Sequence, residues 1–273
     1  MQVNNCLILN LIHRTDLWEN TEKFRNEWIK HGKTVERMLG VNYSTQTNVI
    51  NDFIKSNRLD LNGKGFRKNK NALLGELGCY MGHYNCWKHI IDNNLECCLI
   101  LEDGIEFLRN DFQNMMINSE VDILYTNEEM KKTNEKRLVG YGTQGYIVTK
   151  KGAQLLINHC SKLSYPIDLQ IRELCNLEGD GSRRSLKILK GDVLNEPYVK
   201  RNNNRISSID SLQTPSTTST EFNRSPTPTL RRGSGSRQIN ENTNINEKQN
   251  QSSIIDRLLI NLLNANINLD DYI

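Results

Sequence analysis

The chain has 273 residues, with 35 basic against 32 acidic side chains and a net charge of +3. That length allows one large domain or two small ones, and the near-even charge argues against a nucleic-acid partner, which needs a basic stripe. Apolar residues make up 37% of the chain, and no run approaches the roughly 18 apolar residues of a spanning helix.

The N-terminal stretch MQVNNCLILNLIHR contains the apolar run Leu7 to Ile12. It has no basic leader and no small-residue cleavage site, so no signal peptide is expected, and a cytoplasmic location is. A run apolar throughout predicts a parallel strand covered on both faces. It ends at His13-Arg14-Thr15-Asp16, where Thr15 or Asp16 can cap a helix that places Leu17, Phe24 and Trp28 on one face. Polar residues between a strand and a helix are a common place to meet a nucleotide. Arg14 can clamp a diphosphate there bidentately, or it can be an ordinary solvated arginine.

Thr34 to Tyr43 reads as a second short strand and turn. Residues 44–70 are polar and irregular, with Asn62-Gly63-Lys64-Gly65 as a loop; this segment either covers a site or merely connects. Asn71 to Asn93 reads as a helix, with Leu77, Tyr80, Met81, Tyr84, Trp87 and Ile91 at three- and four-residue steps. Gly75 and Gly78 weaken that helix, so they predict close backbone approach. His83 lies just off the apolar face, either as a satisfied core histidine or as a ligand.

Cys97 to Leu101 is a short apolar run with the length of a buried strand. It stops at Glu102, Asp103 and Gly104, and two readings stay open. Ligands of open α/β sheets sit beyond the carboxyl ends of the strands, so the acids can hold a hard cation and, through it, a phosphate. Alternatively, Asp-Gly between apolar runs is a hairpin turn, with Ile105 and Phe107 continuing the alternation.

Val121 to Tyr125 and Tyr146 to Val148 are further strands, with the charged loop Lys131 to Lys136 between them. Thr149 opens a helix from Lys150 to His159. Tyr165-Pro166-Ile167-Asp168 opens another through Cys175, with proline in its first turn. Asp168 either caps that helix or faces a cleft. Leu186 to Leu189 and Val193 to Val199 read as late strands. Alternating strands and helices imply an α/β domain over 1–210. Residues 211–252 are rich in Ser, Thr, Asn, Pro and Gln and are expected to be a disordered linker. Residues 253–273 read as an amphipathic helix carrying Ile254, Ile255, Leu258, Leu259, Leu262 and Leu263, with Ser253 and Asp256 resembling a capping box. Such a helix can dock on the core, on a second copy or on a partner.

Seven cysteines, an odd number without a CxxC, predict buried free thiols in a reducing compartment. The five histidines lack the spacing of a zinc site. No GxGxxG follows the first strand, which argues against a dinucleotide-binding oxidoreductase.

Several motifs then fall in a telling order. They are Leu9-Asn10-Leu11 with Arg14 and Asp16; Gly75-Glu76-Leu77-Gly78-Cys79 followed by Gly82-His83 and Trp87; Leu101-Glu102-Asp103; Gly142-Thr143 with Tyr146; and Pro166-Ile167-Asp168. Over residues 5–200 this pattern resembles glycosyltransferase family 25, which includes bacterial lipooligosaccharide galactosyltransferases and galactosyltransferases of collagen hydroxylysine. The resemblance implies a GT-A-like (Rossmann-like) α/β domain with a mixed central sheet. It implies inverting transfer of a hexose, galactose above all, from a UDP-sugar to an acceptor hydroxyl on a glycan or a hydroxylated protein. It also implies Mn²⁺ or another divalent cation. By resemblance, Glu102 and Asp103 take the metal position, Asp168 and Asp103 the catalytic one, and Asn10, Arg14, Glu76, His83 and Glu102 the donor site.

The pattern departs from the family at three places. The family carries two aspartates after the glutamate, and here the second is Gly104. Leu17 stands where the family often has a second arginine, and Gly82 replaces a serine. Loss of the second aspartate removes a carboxylate from the cation's shell, so the alternative is a catalytically degenerate member kept for binding or scaffolding.

Overall fold

The structure, a computed structural model, describes residues 1–42, 46, 48, 52, 70–134, 137–160, 166–176 and 188–202. The chain divides into units Met1–Gln213 and Thr214–Ile273. The expected linker, the C-terminal helix and the Asn62-Gly63-Lys64-Gly65 loop lie outside the described residues.

In chain order, β1 (Asn5–Asn10) leads to α1 (Thr15–Asn20), α2 (Glu22–Lys30), β2 (Thr34–Leu39) and the long α3 (Lys70–Asp92). Then come β3 (Cys97–Glu102), β4 (Ile105–Phe107), β5 (Ile123–Tyr125), β6 (Lys131–Lys132), β7 (Leu138–Val139) and β8 (Gly145–Thr149). Helices α4 (Lys150–His159) and α5 (Ile167–Asn176) precede β9 (Gly191–Val193) and β10 (Val199–Arg201). The main sheet has six strands in the order β2-β1-β3-β8-β5-β9. Strand β1 is parallel to β2 and β3, and β5 is parallel to β9. Only β8 runs against its neighbours β3 and β5. This is the mixed α/β sheet that the sequence predicts.

Strand parity explains both the core and the site. Successive side chains point to opposite faces of a sheet. On β1 and β3, Leu7, Leu9, Cys98 and Ile100 pack with Leu77, Tyr80 and Trp87 of α3. Cys6, Ile8, Cys97, Leu99 and Leu101 pack on the other face with Phe24 and Trp28 of α2. Because both faces are covered, the strands read as unbroken apolar runs.

Asp-Gly does not make a hairpin. Strand β4 leaves β3 and pairs antiparallel with β10, Ile105 facing Arg201. Phe107 stacks on Phe24 at 4.9 Å, and Phe112 meets Phe24 edge-on at 4.8 Å. The apolar residues after Gly104 thus serve the α2 face and draw the chain away from β3.

Several expected boundaries shift. The single helix after Arg14 is two, because both the backbone N–H and the hydroxyl of Thr21 bond to the Trp18 carbonyl and tighten that turn. Neither Thr15 nor Asp16 caps it; Arg14 occupies the cap position without a side-chain bond, and Asp16 binds the Arg14 guanidinium instead. Thr149 does cap α4, accepting from the Gly152 amide. The late strands are Gly191–Val193 and Val199–Arg201 rather than the expected spans. Ile188 and Leu189 are irregular, and Pro197, which has no N–H for a ladder, sits between the two strands that form.

Helix α3 reaches the strand ends because it lacks side chains where it crosses them. A Cβ on Gly78 would stand 2.6 Å from the Val41 carbonyl oxygen, and one on Gly82 would stand 3.0 Å from Leu9. A helix gains about 0.5–1 kcal/mol when alanine replaces glycine, but overpacking against backbone costs about 1–3 kcal/mol. Gly78→Ala should therefore lower stability in urea unfolding. Gly104→Ala, which meets nothing within 4 Å, should stay within about 0.5 kcal/mol of wild type.

Candidate functional site

The acids at the end of β3 diverge by parity. Glu102 falls on the α3 face and Asp103 on the α1/α2 face, so each meets a different set of partners.

On the α3 face, Glu76, Cys79 and His83 recur at helical spacing and put a polar stripe on a buried surface. His83 is fully buried. Its Nδ1 lies 2.8 Å from the Tyr146 hydroxyl, and its Nε2 lies 3.3 Å from Glu102 Oε1. The Trp87 indole N–H also donates to that hydroxyl, at 2.9 Å. Indole only donates, so among the described residues the buried Tyr146 proton has one remaining acceptor, His83 Nδ1. The His83 proton is therefore on Nε2, and it points at Glu102. Thr143 Oγ1 donates to the same carboxylate oxygen at 2.7 Å. Burial pushes the Glu102 carboxyl up, but the bonds from His83 and Thr143 and the charge of Arg201 outweigh it and leave it below its ordinary value.

On the other face, Asp103 Oδ2 accepts from Asn10 Nδ2 at 2.5 Å. Arg37 donates through Nε and Nη2 to Asn10 Oδ1. A guanidinium has no acceptor, so it fixes the Asn10 amide with its NH₂ toward Asp103. The Arg14 carbonyl takes the second bond from that NH₂, at 2.9 Å. The Arg14 guanidinium is held by Asp16 at 3.0 and 3.1 Å and acts on Asp103 only through its charge. Burial, then the charge of Glu102, pushes the Asp103 carboxyl up to about 6 against the bond from Asn10.

Each acid thus has one anchored oxygen. Glu102 Oε2 and Asp103 Oδ1 accept no hydrogen bond from a described residue. Although parity parts them, the two acids are near enough at the carboxyl end of β3 for the charge of Glu102 to act on Asp103, and carboxylates at such a strand end can hold a hard cation.

Cys79, His83 and Glu102 also bring three ligand-type atoms within 4.8 Å of one another. Donor counting gives His83 Nε2 a proton, and burial with the nearby Glu102 and Asp168 charges keeps Cys79 a thiol. Within this trio His83 bonds directly to Glu102, whereas Cys79 bonds to Thr143, which in turn holds Glu102. All seven cysteines are free thiols, as the sequence predicts.

Of the residues singled out from sequence, Asn10 and Arg14 gather around Asp103, and His83 around Glu102. Glu76 is buried one helical turn before Cys79 and carries a charge that acts on it. Asp168 neither caps α5 through the usual later amide nor stands free. Its oxygens accept from the Gly142 amide and from the Leu169 amide, each at 2.9 Å. Gly142 has φ +94°, a region that favours glycine, so Asp168 secures a turn that only glycine takes easily. Sequence reasoning missed Arg37 and the direct role of Thr143. Arg37 belongs to an ordinary-looking strand, TVERML, and nothing local marks it.

A family model described as Glycosyltransferase family 25 (LPS biosynthesis protein) matches residues 19–138. That range includes Glu76, His83, Glu102 and Asp103. The chain is similar to procollagen galactosyltransferase 1-B of Xenopus laevis, 26% identical over 180 residues, which cover 58% of this chain and 28% of that protein. It is similar to a glycosyltransferase 25 family member of Anopheles gambiae, 30% identical over 115 residues, or 35% of this chain and 19% of that protein. The chain thus spans less than a third of these relatives' length. Among solved structures it is similar to a glycosyltransferase involved in the glycosylation of the major capsid of PBCV-1, at 9% identity and a TM-score of 0.42, covering 76% of this chain and 97% of that one.

Two measurements test the electrostatics. In Tyr146→Phe, Trp87 N–H and His83 Nδ1 lose their shared partner, so stability should fall by about 1–3 kcal/mol. Nitrogen NMR of the wild type should show His83 protonated on Nε2; protonation on Nδ1 would refute the donor count. The second measurement concerns Asp103, whose folded value of about 6 exceeds an unfolded value of about 3.9. The folded chain holds that proton more tightly, so this contribution is complete below about pH 4 and is lost as pH rises through about 6. With a chelator present, the melting temperature of Asp103→Asn should therefore gain on wild type between pH 4 and pH 7.5. A constant difference would place Asp103 in open solvent.

Proposed function

We propose that this chain, whose residues 19–138 match the glycosyltransferase family 25 model, is a member of that family and transfers a hexose from a UDP-sugar to an acceptor hydroxyl, with inversion and with help from manganese or another divalent cation. The observation that carries this reading is a pair of carboxylate oxygens, Glu102 Oε2 and Asp103 Oδ1, that accept no hydrogen bond from a described residue at the end of β3. Relatives named as procollagen galactosyltransferases favour galactose. The acceptor class is a glycan or a hydroxylated protein.

The chemistry needs three things. Negative charge grows on the nucleotide diphosphate as the sugar bond breaks, and a cation held by Glu102 and Asp103 would neutralise it. His83 and Thr143 hold Glu102 in one rotamer, and Asn10 does the same for Asp103, so both carboxylates are oriented before the donor arrives. Arg14 stands at the same lip, and its guanidinium can exchange Asp16 for a phosphate oxygen. The acceptor hydroxyl must lose a proton. Asp168 keeps further lone pairs beside its two backbone bonds and is the proposed base, a role worth about 10²–10⁴-fold.

Gly104 supports a second reading, a member that binds without turnover. Its φ is not in the left-handed region, and a Cβ there would meet nothing within 4 Å. The backbone therefore admits the aspartate of the family pattern. In an assay of manganese-dependent UDP-galactose hydrolysis, Asp103→Ala should abolish turnover and leave the fold intact. Retained turnover would move the cation elsewhere. Gly104→Asp should tighten manganese binding. If wild type neither hydrolyses nor binds UDP-sugars and Gly104→Asp does both, the second reading holds.

A further inference from the structure

Three consecutive residues at the carboxyl end of β5 carry buried polar atoms without a hydrogen-bond partner among the described residues: Tyr125 Oη, Thr126 Oγ1 and Asn127 Oδ1. A buried polar atom left unpaired is costly, and a run of three at the ligand end of a strand calls for a ligand. Thr126 points to the α2 face, where a Cβ on Gly145 would stand 2.7 Å from its hydroxyl; packing accounts for it. Tyr125 belongs to the α3-side core, and alternation returns Asn127 to the same side.

The orientation of Asn127 is fixed. Its Nδ2 donates to Glu129 Oε2 at 3.3 Å and to Gln144 Oε1 at 3.2 Å. The Glu129 carboxylate accepts only, so the NH₂ must face it, and Oδ1 is left as an acceptor with no donor. The other Glu129 oxygen is held by the Arg201 amide at 2.8 Å, which locks the arrangement. This group adjoins the site on two sides. The Gln144 carbonyl accepts from the Glu102 amide at 3.0 Å. The Gln144 side chain lies over Gly142, whose amide is held by Asp168. Tyr125 feels the charges of Asp168 and Arg172.

A fixed acceptor beside the Gln144 side chain, and a hydroxyl without a partner among the described residues that feels the Asp168 charge, match the hydroxyls of a pyranose, each of which both donates and accepts. We propose that Asn127 Oδ1 and Tyr125 Oη bind hydroxyls of the hexose carried by the donor nucleotide. This inference rests on the glycosyltransferase reading above and adds the residues that select the sugar.

The test is calorimetric titration of the full chain, in manganese, with UDP and with UDP-galactose, UDP-glucose and UDP-N-acetylglucosamine. Tyr125→Phe removes a hydroxyl with no hydrogen-bond partner among the described residues, so its melting temperature should equal or exceed that of wild type. Asn127→Ala is the companion variant. Each should weaken the best-bound UDP-hexose by about threefold to tenfold and leave UDP unchanged. If UDP and UDP-hexose weaken together, or if neither weakens, the sugar subsite is refuted. If UDP-hexose binding holds while KM for the acceptor rises, the hydroxyls belong to the acceptor and the donor assignment is refuted. Wild type that binds no UDP at all would instead remove the glycosyltransferase reading, and this one with it. Should Asn127→Ala not fold, Tyr125→Phe alone decides.

Discussion

The hydrogen bond from His83 to Glu102 sets how the acid at the end of β3 is held. Its direction is not a choice of the histidine. Trp87 can only donate, Tyr146 has one proton to give, and His83 Nδ1 is the only acceptor in reach among the described residues. The chain of donors therefore runs one way, from the helix core to the carboxylate. Reversing it would strand a buried hydroxyl proton, at a cost of about 1–3 kcal/mol. That cost keeps Glu102 in one place and in its charged form, in spite of burial that opposes charge.

The opposite face repeats the arrangement with different residues. Arg37 can only donate, so Asn10 turns its amide outward and presents N–H to Asp103. The two relays come from different layers, one from α3 and one from β2, and they end on consecutive residues because parity sends Glu102 and Asp103 to opposite faces. Side by side, the acids repel. Glu102 keeps its charge through the stronger donor set, and Asp103 bears the strain as a carboxyl pushed up to about 6. A fold that wanted only stability would place neither acid there. Carboxylates driven apart in this way mark functional sites more often than structural ones.

What was legible in the sequence was mostly local. The strand Cys97–Glu102, the Thr149 cap and the tight passage at Gly78 each rest on neighbours close along the chain or on composition, and each is where it was expected. The hairpin reading of Asp103-Gly104 failed because Phe107 has a partner in Phe24, more than 80 positions away in sequence. Arg37 and Asn127 could not be found from sequence for the same reason. Their meaning is the direction of an amide, set by Asn10 in one case and by Glu129 in the other. Spacing can show that a glutamate ends a strand. It cannot show which oxygen of that glutamate is left unpaired.

The absence of an aspartate at position 104 can be weighed against the charges that remain. Glu102 and Asp103 together match the charge of one divalent ion, so the ion they would hold is neutralised by the protein alone. In the proposed reaction a diphosphate would bring charge of its own, and among the described residues Arg14, paired with Asp16, and Arg201 act on these acids through their charge. A third carboxylate would tighten the grip on the ion but would also repel the nucleotide and deepen the burden on Asp103. With open space and an ordinary backbone at Gly104, nothing in the fold forbids the acid. Under the proposed reaction, the trade at position 104 would lie between affinity for the ion and affinity for the departing nucleotide, and glycine would favour the nucleotide.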